Sequence, residues 1–268
     1  MRTIRVPARG PVLDTIALID RWTKAGYETD EPILLGAVAA IDAYQRRLKA
    51  LTNAPGSGDV VAEFLDDWFE AGGGMGSSTP YPYPMDLQPG EAFEAISRLA
   101  NARRSVRNYG PKSVPQKTIE AAVRVAQESP SACNRQPCRV RVVESEERRI
   151  ELLSFQNGNR GFGHQCPQIM IISADERAFF DASERHEPYI DGGLFAMSLL
   201  LALRAQGVAS CCLNWCVTPQ VDKEVHRRFG IPDAERIVML MAIGYPETDV
   251  DVPRSPKRKL EDVLSWYS

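Results

Sequence analysis

Residues 72–84 read GGGMGSSTPYPYP, and no regular element can run through them. Its four glycines lose the most backbone freedom on ordering, and its three prolines lack the N–H that a helix or a central strand needs. The chain is therefore expected to divide here into a helical N-terminal extension over 1–71, a linker over 72–90 and a larger domain over 91–268. The glycines do not make a phosphate loop. A Walker loop needs GxxxxGK[ST], and a dinucleotide loop needs GxGxxG between a strand and a helix; neither pattern occurs here. The YPYP alternation would also suit an extended arm lying on a partner surface.

Three helices are expected in the extension. Residues 12–24 place Leu13, Ile16 and Trp22 near helical spacing. Residues 32–51 open on a first-turn proline and carry Leu34, Val38, Ile41, Tyr44 and Leu48 along one side. Asp59 would cap a short helix holding Phe64, Leu65, Trp68 and Phe69. Beyond the linker, helical and strand-like segments alternate. Residues 91–102 and 114–128 read as helices, the second with Pro115 in its first turn and a stripe of Ile119, Val123 and Ala126. Residues 139–143, 168–173, 208–213 and 237–243 read as strands. Residues 191–206 are apolar on nearly every face and close on Gly207, and Thr218 caps a helix starting at Pro219. Helix and strand in turn mean α/β or α+β. That helix must be buried on most sides, and since Leu199, Leu200, Leu201 and Leu203 cannot all face water it also offers a reason to dimerise, helices so apolar often lying in a subunit interface.

Thirty-two Lys and Arg against 35 Asp and Glu leave a net charge of −3 over 268 residues. That balance argues against nucleic acid as the main partner, because phosphate binding needs a basic face. No apolar h-region follows Arg2, Arg5 and Arg9, and the longest apolar run, 32–41, is short of the roughly 20 residues of a spanning helix. A soluble, cytoplasmic protein is expected, without membrane contact. Six cysteines with no CxxC and three scattered histidines read as reduced thiols and no metal site.

Four clusters could carry chemistry. Arg103, Arg104, Ser105 and Arg107 fall in ARRSVRNY, where three guanidinium forks and a hydroxyl suit a phosphate as well as a solvated basic turn. SPSACNRQP (129–137) sets Ser131, Asn134 and Gln136 between two prolines, a set of donors and acceptors for the edge of a planar polar ring. Ser131 is a poor candidate for a hydrolytic nucleophile, because no GxSxG surrounds it and no histidine is near in sequence. GVASCCLNWC (207–216) reads as a strand running into a loop, where open sheets tend to bind ligands. SPKRKLED (255–262) is a basic segment near the C-terminus.

Taken in order, these clusters resemble the nitroreductase family of FMN-dependent oxidoreductases. The resemblance covers 102–263 and rests on RRSVRNY, SPSACNRQP, IDGGLFAMSLLLALRAQGV, IPDAERIVMLMAIGYP and KRKLEDV; the first 90 or so residues fall outside it. It implies an α+β fold with a central, mainly antiparallel sheet flanked by helices. It also implies FMN as cofactor, NADH or NADPH as co-substrate, and a homodimer whose FMN sites draw on both subunits.

The family's residues carry over one by one. Arg103, Arg104, Ser105 and Arg107 match its first FMN motif, in which Arg and Ser hold phosphate and the last basic residue lies near the N1/O2 side of the ring. Pro130, Ser131, Ala132 and Asn134 match the loop that reaches the flavin from the partner subunit, with Ala132 where a second Ser is frequent. Asn159 stands where a flavin-contacting Asn is common. Leu213, Asn214 and Trp215 match the loop whose backbone N–H faces N5, with Asn214 and Trp215 replacing a frequent Glu-Gly pair. Arg258, with Lys257 beside it, matches the C-terminal phosphate contact. No catalytic side chain is required, since the hydride chemistry belongs to the cofactor. The implied activity is ping-pong hydride transfer from NAD(P)H to a nitro compound or quinone. A flavin-dependent oxidase or dehydrogenase of a dedicated substrate, and a non-catalytic flavin-binding scaffold, would carry the same residues.

Overall fold

Three helices make the first of two compact units, Met1–Leu87. They are α1 (Arg9–Lys24), α2 (Pro32–Thr52) and α3 (Val60–Glu70), and they close over Ile16, Ile19, Val38, Ile41, Val61 and Leu65. The computed structural model describes residues 9–52, 60–76, 88–253 and 255–267; Asp59 and 77–87 of the expected linker lie outside them. The glycines at the head of that segment are packed. Trp68 Nε1 donates to Gly74 O at 2.7 Å, and Gly76 N–H donates to Leu35 O at 3.0 Å. A Cβ on Gly73 would stand 2.3 Å from the Trp68 ring. Gly73 lacks a side chain because the chain folds back across an indole, and Gly76 because it meets the backbone at Leu35 and Gly36, whereas composition alone reads the same glycines as slack.

The second unit, Gln88–Ser268, is built on a wholly antiparallel four-stranded sheet. Its spatial order is β1 (Cys138–Val143), β2 (Gln168–Asp175), β4 (Glu235–Gly244), β3 (Ala209–Asn214). Every residue of β2 is buried, because helices cover both faces of the sheet. Ile169, Ile171, Leu240 and Ala242 pack with α6 (Glu146–Ser154) and α8 (Pro219–Phe229). Met170, Ile172, Met241 and Ile243 pack with α5 (Gln116–Gln127) and α7 (Glu187–Ala205). This is an α+β domain, entered through α4 (Pro89–Ala102).

Several expectations shift. Pro115 is the N-cap of α5, outside its first turn. Thr218 caps α8 as expected, its hydroxyl accepting from Val221 N–H. Helix α6 went unread, although Ser145 caps it by accepting from Arg148 N–H. α7 starts at Glu187, a turn early, and is buried on most sides as expected; Leu199 and Leu203 are 0% exposed inside their own domain and Leu200 is buried too, so these three are core and not interface residues. The sheet and α5 press on α7 from two sides and bury those leucines. The apolar residues left exposed on α7 are Tyr189, Ile190, Leu194 and Met197. Among the described residues no helix is long and apolar enough to cross a membrane.

Candidate functional site

The arginine cluster leaves α4 as extended chain along the outer edge of β3. Ser105 bridges Ser210 in the parallel sense, and Val106 N–H donates to Ser210 O at 3.1 Å. Tyr109 pegs the segment to the sheet. Its buried hydroxyl donates to Val106 O at 2.7 Å, and its ring lies where Gly244 leaves room, a Cβ there coming within 2.9 Å. Burial pushes that hydroxyl far above the usual phenol range, so it stays a donor. Arg103, Arg104 and Arg107 pair with no carboxylate among the described residues, unlike Arg135, Arg141, Arg148, Arg177, Arg227, Arg228 and Arg236 of the same domain. Arg104 Nη1 donates to Arg103 O at 2.7 Å, and the Arg107 guanidinium lies 5.7 Å from the Phe162 ring centre. Arg103 and Arg104 line a cleft of about 250 Å³ with Ser210, Glu247, Val250 and Val252.

Beside this cluster, β3 turns Cys211 and Leu213 into the core and Cys212 and Asn214 outward. The outward pair lies on the α5–α7 side of the sheet, where this edge strand is uncovered. Desolvation by the surrounding chain, with Cys211 alongside, pushes the Cys212 thiol up to about 11 even though the residue keeps an open outer face, so it is neutral near pH 7. Trp215 follows, its indole N–H donating to Asp222 Oδ1 at 2.7 Å. Asn159 turns its amide nitrogen inward to Leu153 O at 2.9 Å and to the Gln156 carbonyl. Gln156 in turn donates to Asn214 O at 3.0 Å.

The 129–137 loop is strained. Cys133, Asn134 and Gln136 all have positive φ (52°, 56° and 49°), a conformation that non-glycine residues adopt at a cost and that concentrates at functional sites. The surroundings hold it there. Ser131 Oγ accepts from Gln136 N–H at 3.0 Å, and the Asp191 carboxylate on α7 accepts from Ala132 N–H at 3.1 and 3.2 Å. Desolvation raises the Asp191 carboxyl against the pull of that N–H. Arg135 meets both Glu184 oxygens at 2.9 Å and lies 4.3 Å from the Phe180 ring centre. Tyr109, Gln156, Glu184, Asp191 and Asp222 were not singled out from sequence. Each is an isolated polar residue whose importance comes from a contact, and only the Glu184 clamp left a signal, the Phe179–Phe180 pair beside charges.

The two halves do not meet within one chain. Ser105 abuts Ser210, which faces Ile243 and through it Gln168; Cys138 faces Ala174, six residues further along β2 on the opposite edge. At ~3.4 Å per residue and ~4.8 Å per strand, these corners are roughly 25 Å apart. Lys257 and Arg258 are exposed and pair with none of the described residues.

A doubly covered antiparallel sheet, with cations free of carboxylate partners at one corner and a strained polar loop at the other, defines an α+β domain with a cationic edge. The chain belongs to the nitroreductase family, whose model matches residues 100–155 and 146–245, together more than half of its length. An iodotyrosine deiodinase of Thermotoga neapolitana is 25% identical over 194 residues, covering 63% of this chain and 96% of its own. A protein of Archaeoglobus fulgidus named "Putative NADH dehydrogenase/NAD(P)H nitroreductase" is 25% identical over 163 residues, 59% of this chain and 90% of that one. Among solved structures, a nitroreductase family protein from Streptococcus pneumoniae superposes with a TM-score of 0.55 at 20% identity, covering 64% of this chain and all of its own. A "putative NAD(P)H:FMN oxidoreductase" from Staphylococcus epidermidis gives 0.58 at 19%, covering 64% and 95%.

Proposed function

We propose that this chain is a cytoplasmic FMN-dependent oxidoreductase that takes hydride from NADH or NADPH and delivers it to a small organic acceptor. The observation that carries the reading is the trio of unpaired arginines on the open edge of β3, beside the outward face of Cys212 and Asn214. That donor set fits FMN. A phosphate dianion is satisfied by two or three guanidinium forks and a hydroxyl, which Arg103, Arg104 and Ser105 offer and Lys257 and Arg258 would supplement. Arg107 supplies a cation for the ring edge that becomes anionic on reduction. When bound, FMN accepts and donates the hydride in turn. The chain's part is to hold and orient: the Trp215–Asp222 hydrogen bond stiffens the backbone from Leu213 to Trp215, and no side chain needs to move a proton.

Two copies of the chain are read into each site. The loop of Pro130, Ser131, Ala132 and Asn134 is too far from Ser105 to share a ligand in one chain, and a homodimer brings the partner's loop to it. Exposed Tyr189, Ile190, Leu194 and Met197 on α7, and Leu260, Val263, Trp266 and Tyr267 in the tail, are apolar surface a second copy would cover.

The visible spectrum tests the cofactor. Purified protein should be yellow and release FMN on denaturation, and anaerobic NADH or NADPH should bleach it; a colourless chain that takes up no FMN overturns the reading. Flavin that is bound but unbleached by either nucleotide would favour an oxidase or a scaffold. The match to a protein named iodotyrosine deiodinase supports a second reading, reductive dehalogenation of an aromatic substrate. Halide release under anaerobic turnover with a halophenol would favour it over nitro or quinone reduction.

A further inference from the structure

We propose that Gln156 is a positioning residue that decides which end of the Asn214 side-chain amide is presented to the flavin. The inference rests on the FMN reading above and concerns Gln156, a residue outside the family's motif. Gln156 is 4% exposed, with both ends of its amide engaged. Its Oε1 accepts from Gly158 N–H at 2.7 Å and from Asn159 Nδ2 at 3.1 Å. A backbone N–H can only donate, so the group facing Gly158 must be the oxygen, and the Gln156 amide cannot be flipped.

The nitrogen therefore faces Asn214. Nε2 has two hydrogens and meets two acceptors there, Asn214 O at 3.0 Å and Asn214 Oδ1 at 3.3 Å. Engaging Oδ1 turns the Asn214 amide so that its own NH2 points away, with no partner among the described residues. Asn214 lies on the outward face of β3, with Cys212 two residues before it and Arg107 on the neighbouring segment. Polarity thus passes from Gly158 N–H through Gln156 to Asn214, and the surface offered to the ring is a neutral donor. Oxidised flavin presents acceptors at N5 and O4, which a donor suits and a carbonyl would repel. A backbone N–H two residues into a turn selects the hydrogen-bonding character of the cofactor face.

The test is a double-substitution cycle on the full-length protein, read as FMN affinity by quenching of flavin fluorescence. Gln156→Glu keeps an acceptor for Gly158 and Asn159 but withdraws the donor facing Asn214, so the turn is preserved. It should weaken FMN binding about fivefold, the value of one hydrogen bond. In an Asn214→Ala background the same substitution should weaken binding less than twofold, because nothing is left to orient. Thermal melts of each variant report whether the domain is folded. Equal losses in both backgrounds would make Gln156 a part of the turn alone and overturn the proposal, as would no loss from Gln156→Glu where Asn214 is intact. Wild-type protein that binds no FMN would instead overturn the cofactor reading on which this one stands.

Discussion

An arginine without a carboxylate partner keeps its full capacity for an anion, and three such residues within five positions make Arg103, Arg104 and Arg107 stand apart from the paired arginines of the same domain. Replacing Arg103 by Ala should weaken FMN binding by about 1.5–3 kcal/mol, the range of a hydrogen bond to a charged group. Riboflavin, which lacks the phosphate, should bind almost unchanged in the same titration; equal losses for both flavins would make the arginine structural. Residue identity alone made this cluster readable, because charge and hydroxyl spacing are local properties. The residues that hold it in place were not readable. Tyr109 matters through Ala242, 133 positions away, and Asp191 through Ala132, 59 positions away.

Elements are locked to one another by a few buried polar contacts. Arg141 on β1 reaches across β2 to both oxygens of Glu235 on β4, at 2.6 and 2.8 Å, and Ser173 on β2 donates to the same carboxylate. Desolvation pushes the Glu235 carboxyl up, but the hydrogen bonds from Arg141 and Ser173 outweigh it and leave the group below the usual carboxylate range. A carboxyl depressed in the folded state contributes stability above the unfolded pKa of about 4.3, and that stability is lost as pH falls through the lower folded value. Glu235→Ala should cost about 3 kcal/mol in urea unfolding near pH 7, since it strands a partly buried guanidinium. The difference from wild type should shrink below pH 4; a constant difference down to pH 2 would remove the ion pair from the account. Element positions were largely legible, since a capping Thr218 before Pro219 and the isoleucine-rich apolar run of β2 act over a few residues. The side from which each element is covered was not: α7 reads as buried on most sides, but that α5 and the sheet, and not a second subunit, cover Leu199, Leu200 and Leu203 is a tertiary fact.

At the scale of the whole molecule, a chain starting at Asp86 should stay soluble and hold FMN, because among the described residues the two buried clusters of the second unit are built from Val106 onward. Precipitation, or loss of flavin, would mean that the three N-terminal helices complete that unit. The composite site has its own test. One variant carries Arg103 and Arg107 replaced by Ala, and another Ser131 and Asn134 replaced by Ala; each alone should fail to hold FMN. A mixed dimer gathers every lesion in one site and leaves the other intact, so co-refolding should restore up to about one flavin per mixed dimer. Mixed dimers shown to form yet binding none would put each site within a single chain. The sequence by itself determined the run of helices and strands, the nitroreductase motifs and their order along the chain, because periodicity, caps and charge spacing act over a few residues. The tertiary structure decided that Gly73 packs on Trp68, that Gln156 hydrogen-bonds Asn214, and that the two halves of the candidate site lie at opposite corners of one sheet. The order β1-β2-β4-β3 follows from which strands can bury both faces together, a property of segments tens of residues apart that no local pattern encodes.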